Sequence, residues 1–182
     1  MSYELSHPDP YNRKDVENMM NSAENFASVV ARNQPGFMKN YPWARHVRAV
    51  VAGEWMRFCS DPPYRAKVEF WKITQEGEFI AYGISRETQY DAKEPTKITY
   101  PLVGFIPLRW NSPDTFSALE FFVDNWLRQG FKTVWFRAPF GEAIRLSDEY
   151  KVWSVAAEPS LRIREITGFL PYYTIYAIEL IA

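Results

Sequence analysis

The stretch from Ile98 to Arg137 restricts the fold more than any other part of the chain. The run Ile98 to Leu108 is apolar, as expected of a central strand covered on both faces. A strongly marked helix follows. Ser112 is a good N-cap, Pro113 suits the first helical position, and Asp114 complements the positive end of the helix. Leu119, Phe122, Val123, Trp126 and Leu127 recur at helical spacing, and Gly130 is a natural C-terminal stop. Lys132 to Arg137 then reads as a second strand. Gly104, inside the apolar run, marks a bulge or a close backbone approach.

The remainder adds elements on both sides. Tyr3 to Ser6 reads as a short strand, ended by Pro8 and Pro10. Asn12 or Asp15 caps a helix in which Val16, Met19, Met20, Ala23, Ala27 and Val30 share one face. Pro35-Gly36 breaks it. A second helix is expected from Pro42 to Phe58, closed by Asp61-Pro62-Pro63. Lys67 to Thr74 and Phe79 to Ser85 form a hairpin around Gln75-Glu76-Gly77-Glu78. Arg86 to Lys97 is polar, contains Pro95 and reads as a loop. A short amphipathic helix is expected from Gly141 to Trp153. Two closing strands are expected at Leu161–Ile166 and Tyr172–Leu180.

Composition excludes several classes of function. The 182 residues fit one domain, 1–182, long enough to bury roughly two thirds of its unfolded surface. The net charge of −1 predicts no nucleic-acid or membrane-surface partner. A single cysteine, Cys59, rules out an internal disulfide and a multi-thiolate zinc site, and on its apolar helix it reads as an inert buried thiol. His7 and His46 are far apart with no carboxylate at ligand spacing, so no metal is expected. No signal peptide and no bilayer-spanning apolar run occur, so a cytoplasmic location is expected. The aromatic fraction is high, at 17%. Large rings suit a core and also a partner interface.

The order strand, helix, helix, three strands, helix, strand, helix, strand, strand resembles the GNAT (N-acetyltransferase) fold over nearly the whole chain. Ser117-Ala118-Leu119 through Arg128-Gln129-Gly130-Phe131-Lys132-Thr133-Val134 is similar to that family's third helix and its exit into the fifth strand. Ala143-Ile144-Arg145-Leu146 resembles the start of its fourth helix, and Ile175-Tyr176-Ala177-Ile178-Glu179-Leu180 its last strand. The resemblance implies an α+β fold in α/β/α layers, with a mixed central sheet of about six to seven strands and four helices. It also implies that Ile98–Leu108 and Lys132–Arg137 are adjacent, parallel and splayed at one end.

The resemblance further implies where chemistry should sit. In the family a basic, glycine-rich loop before the third helix wraps the pyrophosphate of coenzyme A. Here that loop is Arg109-Trp110-Asn111-Ser112-Pro113-Asp114-Thr115. Its glycine positions hold Pro113, which has no N–H, and Thr115. Asp114 sets a negative charge where the pyrophosphate would lie. Arg109, with the backbone amides of Thr115 and Phe116, makes up the remaining phosphate-binding set. The family's tyrosine, which protonates the departing thiolate, is replaced by Ser147, and Tyr150 lies three residues on. The family's asparagine at that helix start is replaced by Phe140. The presumed fourth strand carries no carboxylate base. Glu69 and Glu78 on the hairpin are the substitutes.

Two expectations follow. The first is a GNAT-like domain without acetyl-CoA chemistry and without a cofactor, serving as a binding or assembly module. An accessory or structural protein of bacteria or their phages is the expectation for such a domain, and for a phage protein the location would be the virion. Such a module would form a homo-oligomer or dock on a protein through at least two of Trp43, Trp110, Tyr172 and Tyr173. The second is a divergent acyltransferase that binds acetyl-CoA through Arg109, Thr115 and Phe116 and uses Tyr150.

Overall fold

The computed structural model describes residues 2–9, 11–33, 53, 56–57, 59–66, 68–89, 99–107, 114–138, 144–159 and 172–181. Its elements are β1 (Tyr3–Ser6), α1 (Arg13–Asn33), α2 (Pro62–Arg65), β2 (Val68–Gln75), β3 (Glu78–Gln89) and β4 (Thr99–Pro107), then α3 (Asp114–Leu127), β5 (Val134–Ala138), β6 (Tyr150–Pro159) and β7 (Tyr172–Leu180). The seven strands form one sheet in the order β1-β2-β3-β4-β5-β7-β6. Every neighbouring pair is antiparallel except β4 and β5, which are parallel. The mixed sheet and the adjacent parallel pair agree with expectation.

Local chemistry explains the element ends. Asn12, not Asp15, caps α1. Its Oδ1 accepts the Lys14 N–H at 2.9 Å and its carbonyl accepts the Val16 N–H at 3.2 Å. The β2–β3 turn has positive φ at both Glu76 (52°) and Gly77 (81°), which matches the twist of a tight hairpin. At the end of α3, the Gly130 N–H bonds to the Leu127 carbonyl at 3.2 Å and the Phe131 N–H to the Trp126 carbonyl at 3.3 Å. With Gly130 at φ 99°, this is a Schellman stop.

Helices cover both faces of the β2–β3 region. Phe70, Lys72 and Tyr82 point toward the α1 side, where Lys72 meets Asp15 of α1. Trp71, Ile73, Ala81 and Gly83 point toward α3. There Ile73, Ala81, Ala118, Leu119, Phe122, Val123 and Trp126 join Val134, Phe136 and Ile178 in the main core. Gly83 marks the closest approach, since a Cβ built on it would stand 2.3 Å from Phe122 Cζ. Gly104 is not at a bulge. It pairs with Ile84 in unbroken register, and the irregularity lies between Ile73 and Thr74 instead.

Two further expectations are corrected. Arg86 to Gln89 is not loop but continues β3, because each residue finds a partner on β4 from Leu102 back to Thr99. The helix expected from Gly141 to Trp153 is absent over 144–153. Residues 144–149 are irregular, and β6 begins at Tyr150. Tyr150 is buried beneath α3 and Lys151 is exposed, and β6 pairs antiparallel with β7 from Tyr150 to Pro159 except at Val155. The proposed helix at Pro42–Phe58 lies mostly outside the described residues, and the proposed strand at Leu161–Ile166 entirely so.

Candidate functional site

The parallel pairing of β4 and β5 is limited to Leu102↔Trp135 and Val103↔Phe136. Beyond these pairs the strands part. Residues 104–107 of β4 pair with β3, whereas Arg137 and Ala138 pair with Ile175 and Thr174 of β7. Among the described residues the facing backbone groups of the two parting strands have no partner in the other strand, a geometry that can offer donors and acceptors to a ligand. It opens at the C-terminal ends of both strands, where open sheets commonly bind ligands. The β2–β3 turn, the start of α3, the last residues of β6 and the first of β7 lie at this same end.

The residues expected to hold a cofactor were tested against this geometry. Thr115 is 2% exposed, and Phe116 packs against the main core. Their side chains are therefore committed to the fold, and only backbone N–H groups of the first helical turn remain for an anion. Arg109 lies outside the described residues. Asp114 is the first residue of α3.

Tyr150 and Ser147 lie elsewhere. Tyr150 pairs with Leu180 at the N-terminal end of β5, opposite the cleft. Its hydroxyl donates to Asp124 Oδ1 at 2.7 Å. Nine residues of α3 separate Asp124 from Thr115, about 13 Å along the helix axis. Ser147 is exposed beside the same helix, and its N–H donates to Glu120 Oε1. Tyr150 and Ser147 thus come together with each other but not with Thr115 and Phe116. Of the substitute carboxylates, Glu78 lies at the cleft end, Glu69 lies at the far end, and both are exposed. Cys59 is half-buried, and burial pushes its thiol up despite the opposing charge of Arg65, in keeping with an unreactive side chain.

Burial raises the Tyr150 phenol well above its ordinary 10.0, and the bond to Asp124 and the charges of Asp124, Glu120 and Glu149 raise it further. A group with a raised folded pKa contributes its stability fully below the unfolded value. That contribution is lost as pH climbs toward the folded value. Stability is therefore expected to fall steeply above pH 10, and Tyr150→Phe should flatten that fall. Urea midpoints from pH 8 to 11 for both proteins check this. Parallel pH profiles would show that Tyr150 does not drive the alkaline loss.

Sequence reasoning missed a charged cluster at the cleft end. An Arg137 guanidinium nitrogen donates to Glu158 Oε2 at 2.5 Å, and the guanidinium lies 5.1 Å from the centre of the Tyr173 ring. Strand pairing builds it, since Arg137 stands opposite Ile175 and Glu158 opposite Tyr173. Tyr173 had been expected at a partner interface, and here its ring lies beside Arg137. Tyr172 stands opposite Pro159 in the ladder, while Trp43 and Trp110 lie outside the described residues. Among the described residues no three His, Cys, Asp or Glu are grouped to hold a metal ion. No described helix is long and apolar enough to cross a membrane.

No known family model matches the sequence, and no curated protein matches it. Solved structures do match. A probable acetyltransferase from Staphylococcus epidermidis superposes with TM-score 0.52 at 9% identity, over 100% of both chains. The PaiA N-acetyltransferase of Thermoplasma acidophilum, solved with coenzyme A, gives 0.51 at 10% identity over 97% of this chain and 98% of that one. A GCN5-related N-acetyltransferase from Rhodopseudomonas palustris gives 0.51 at 12% identity, also over 97% and 98%. With the strand order, the one parallel pair and its splay, these superpositions show that the protein has the GNAT acetyltransferase fold, in a divergent form.

Proposed function

We propose that this chain is a GNAT-fold binding or assembly module that does not carry out acetyl-CoA chemistry. The observation that carries this reading is the placement of Tyr150. Its hydroxyl is spent on Asp124, at the end of α3 remote from the parting strands. A general acid must lie within hydrogen-bond reach of the leaving group, and from this position Tyr150 does not reach the cleft. Pro113 and Asp114 add to the case, because they remove a donor and add a negative charge at the phosphate position. Docking on a protein through at least two of Trp43, Trp110, Tyr172 and Tyr173 belongs to the same proposal, as does a cytoplasmic location, or a virion for a phage protein.

The second reading is an acyl-CoA-dependent N-acyltransferase, favoured by the parting of β4 and β5. It would bind pyrophosphate through Arg109 and the N–H groups of Thr115 and Phe116, and would need an acid other than Tyr150 or Ser147 where they stand. Calorimetric titration with acetyl-CoA separates the readings. We expect no saturable heat at micromolar concentration and no release of free thiol with a panel of amines. Saturable binding that disappears in Arg109→Ala would establish the second reading in place of the first.

A further inference from the structure

Among the described residues β6 ends the sheet, and it is a long edge of ten residues, against four in β1 at the other edge. An edge strand presents a row of backbone groups ready to pair with another chain. Lys151, Ser154, Val155, Ala157 and Pro159 are exposed along it, and Val155 is among the few large apolar residues described as exposed.

The bulge in β6 gives this edge an unusual symmetry. Ser154 pairs with Tyr176 and Ala156 with Ile175, so Val155 is an extra residue. One extra residue shifts the alternation of faces by one step. Lys151 and Glu158, seven positions apart, would lie on opposite faces of a regular strand, but the bulge places them on the same face. Lys151 shares that face with Trp153, whose ring lies 4.8 Å from its ammonium, and Glu158 shares it with Arg137.

Laid antiparallel against a copy of itself about a two-fold axis between Ser154 and Val155, β6 is self-complementary. Lys151 meets Glu158 of the other copy, Val152 meets Ala157, Trp153 meets Ala156, and Ser154 meets Val155. Each pair falls on one face, as antiparallel pairing requires. Opposite charges meet at both ends, and small residues face the large ones between them. An isologous contact of this kind closes on itself and does not propagate.

We propose that β6 pairs with β6 of a second copy, joining two sheets into one continuous sheet. The proposal does not depend on whether the cleft carries chemistry. Its test is sedimentation equilibrium on the wild type, on Lys151→Glu, on Glu158→Lys, and on an equimolar mixture of the two variants. Each variant alone sets like charges opposite each other at both ends, whereas the mixture restores two opposite-charge pairs per heterodimer. We expect a wild-type dimer, self-association about tenfold or more weaker in each variant, and dimers restored in the mixture. A monomeric wild type at high concentration overturns the proposal, as does a wild-type dimer that Lys151→Glu leaves unchanged. Glu158→Lys also loses the bond to Arg137, so circular dichroism must show it folded. If it is not folded, Lys151→Glu alone decides, because its side chain is exposed.

Discussion

Gly83→Ala is expected to lower stability by about 2 kcal/mol and the melting temperature by about 4–8 °C. The reason is space and not backbone conformation. The added Cβ would stand 2.3 Å from Phe122 Cζ, 2.6 Å from Cε1 and 3.0 Å from Cε2. Phe122 has no room to retreat. It is fully buried in the main core, and its ring stands edge-on to Trp126 at 4.6 Å. Small-to-large changes in a packed core cost about 1–3 kcal/mol, and the better strand propensity of alanine offsets only a fraction. A double-mutant cycle isolates the cause. In a Phe122→Leu background Gly83→Ala should cost at least about 1 kcal/mol less than in the wild type. Additive costs in denaturant melts would show that the ring is not the obstacle.

Lys72→Met is expected to cost about 3 kcal/mol. Lys72 Nζ lies 3.0 and 3.1 Å from the two oxygens of Asp15, whose side chain is only 7% exposed. Asp15 also accepts the Asp9 N–H at 2.9 Å, so one carboxylate ties together the start of α1, the segment before it and the sheet. Removing the cation leaves a buried charge with one neutral donor. Asp15→Asn in addition to Lys72→Met removes that charge and should recover more than half of the loss. Urea unfolding of the two single variants and the double variant measures this. A Lys72→Met variant as stable as the wild type would mean that Asp15 is solvated well enough without its partner.

The two substitutions also show the limit of reading this chain in one dimension. Nothing around Gly83 marks it as a contact point, because its neighbour Phe122 comes from a helix that starts some thirty residues later. Gly104 drew attention instead, since it interrupts an apolar run. Asn12 and Asp15 both appeared as candidate helix caps, which is a local role. Asn12 fills that role, and Asp15 is taken by a lysine 57 positions away.

The site follows the same division. The cap and stop signals of α3 are local, so both the helix and the strand after it were legible. The parallel neighbours and their splay were expected from the resemblance in element order. The role imagined for Tyr150 assumed a helix through residue 150, where three residues bring side chains to one face. In a strand that spacing carries the ring to another partner, and Asp124 holds it 26 positions away. The Arg137–Glu158–Tyr173 cluster had no sequence signature, because β7 lies between two strands that precede it in the chain.

By itself, then, the sequence determined the start of α1, the β2–β3 turn and the stop of α3. Those events depend on caps, glycines, prolines and apolar spacing within a few residues. Tertiary structure alone decided that Tyr150 to Pro159 is a strand. A segment containing Tyr, Val, Trp and Ala accepts either conformation locally, and β7 supplied the backbone partners that settled the choice. It also decided which polar groups meet, since a buried hydroxyl or carboxylate takes whichever donor or acceptor the packing brings within 3 Å.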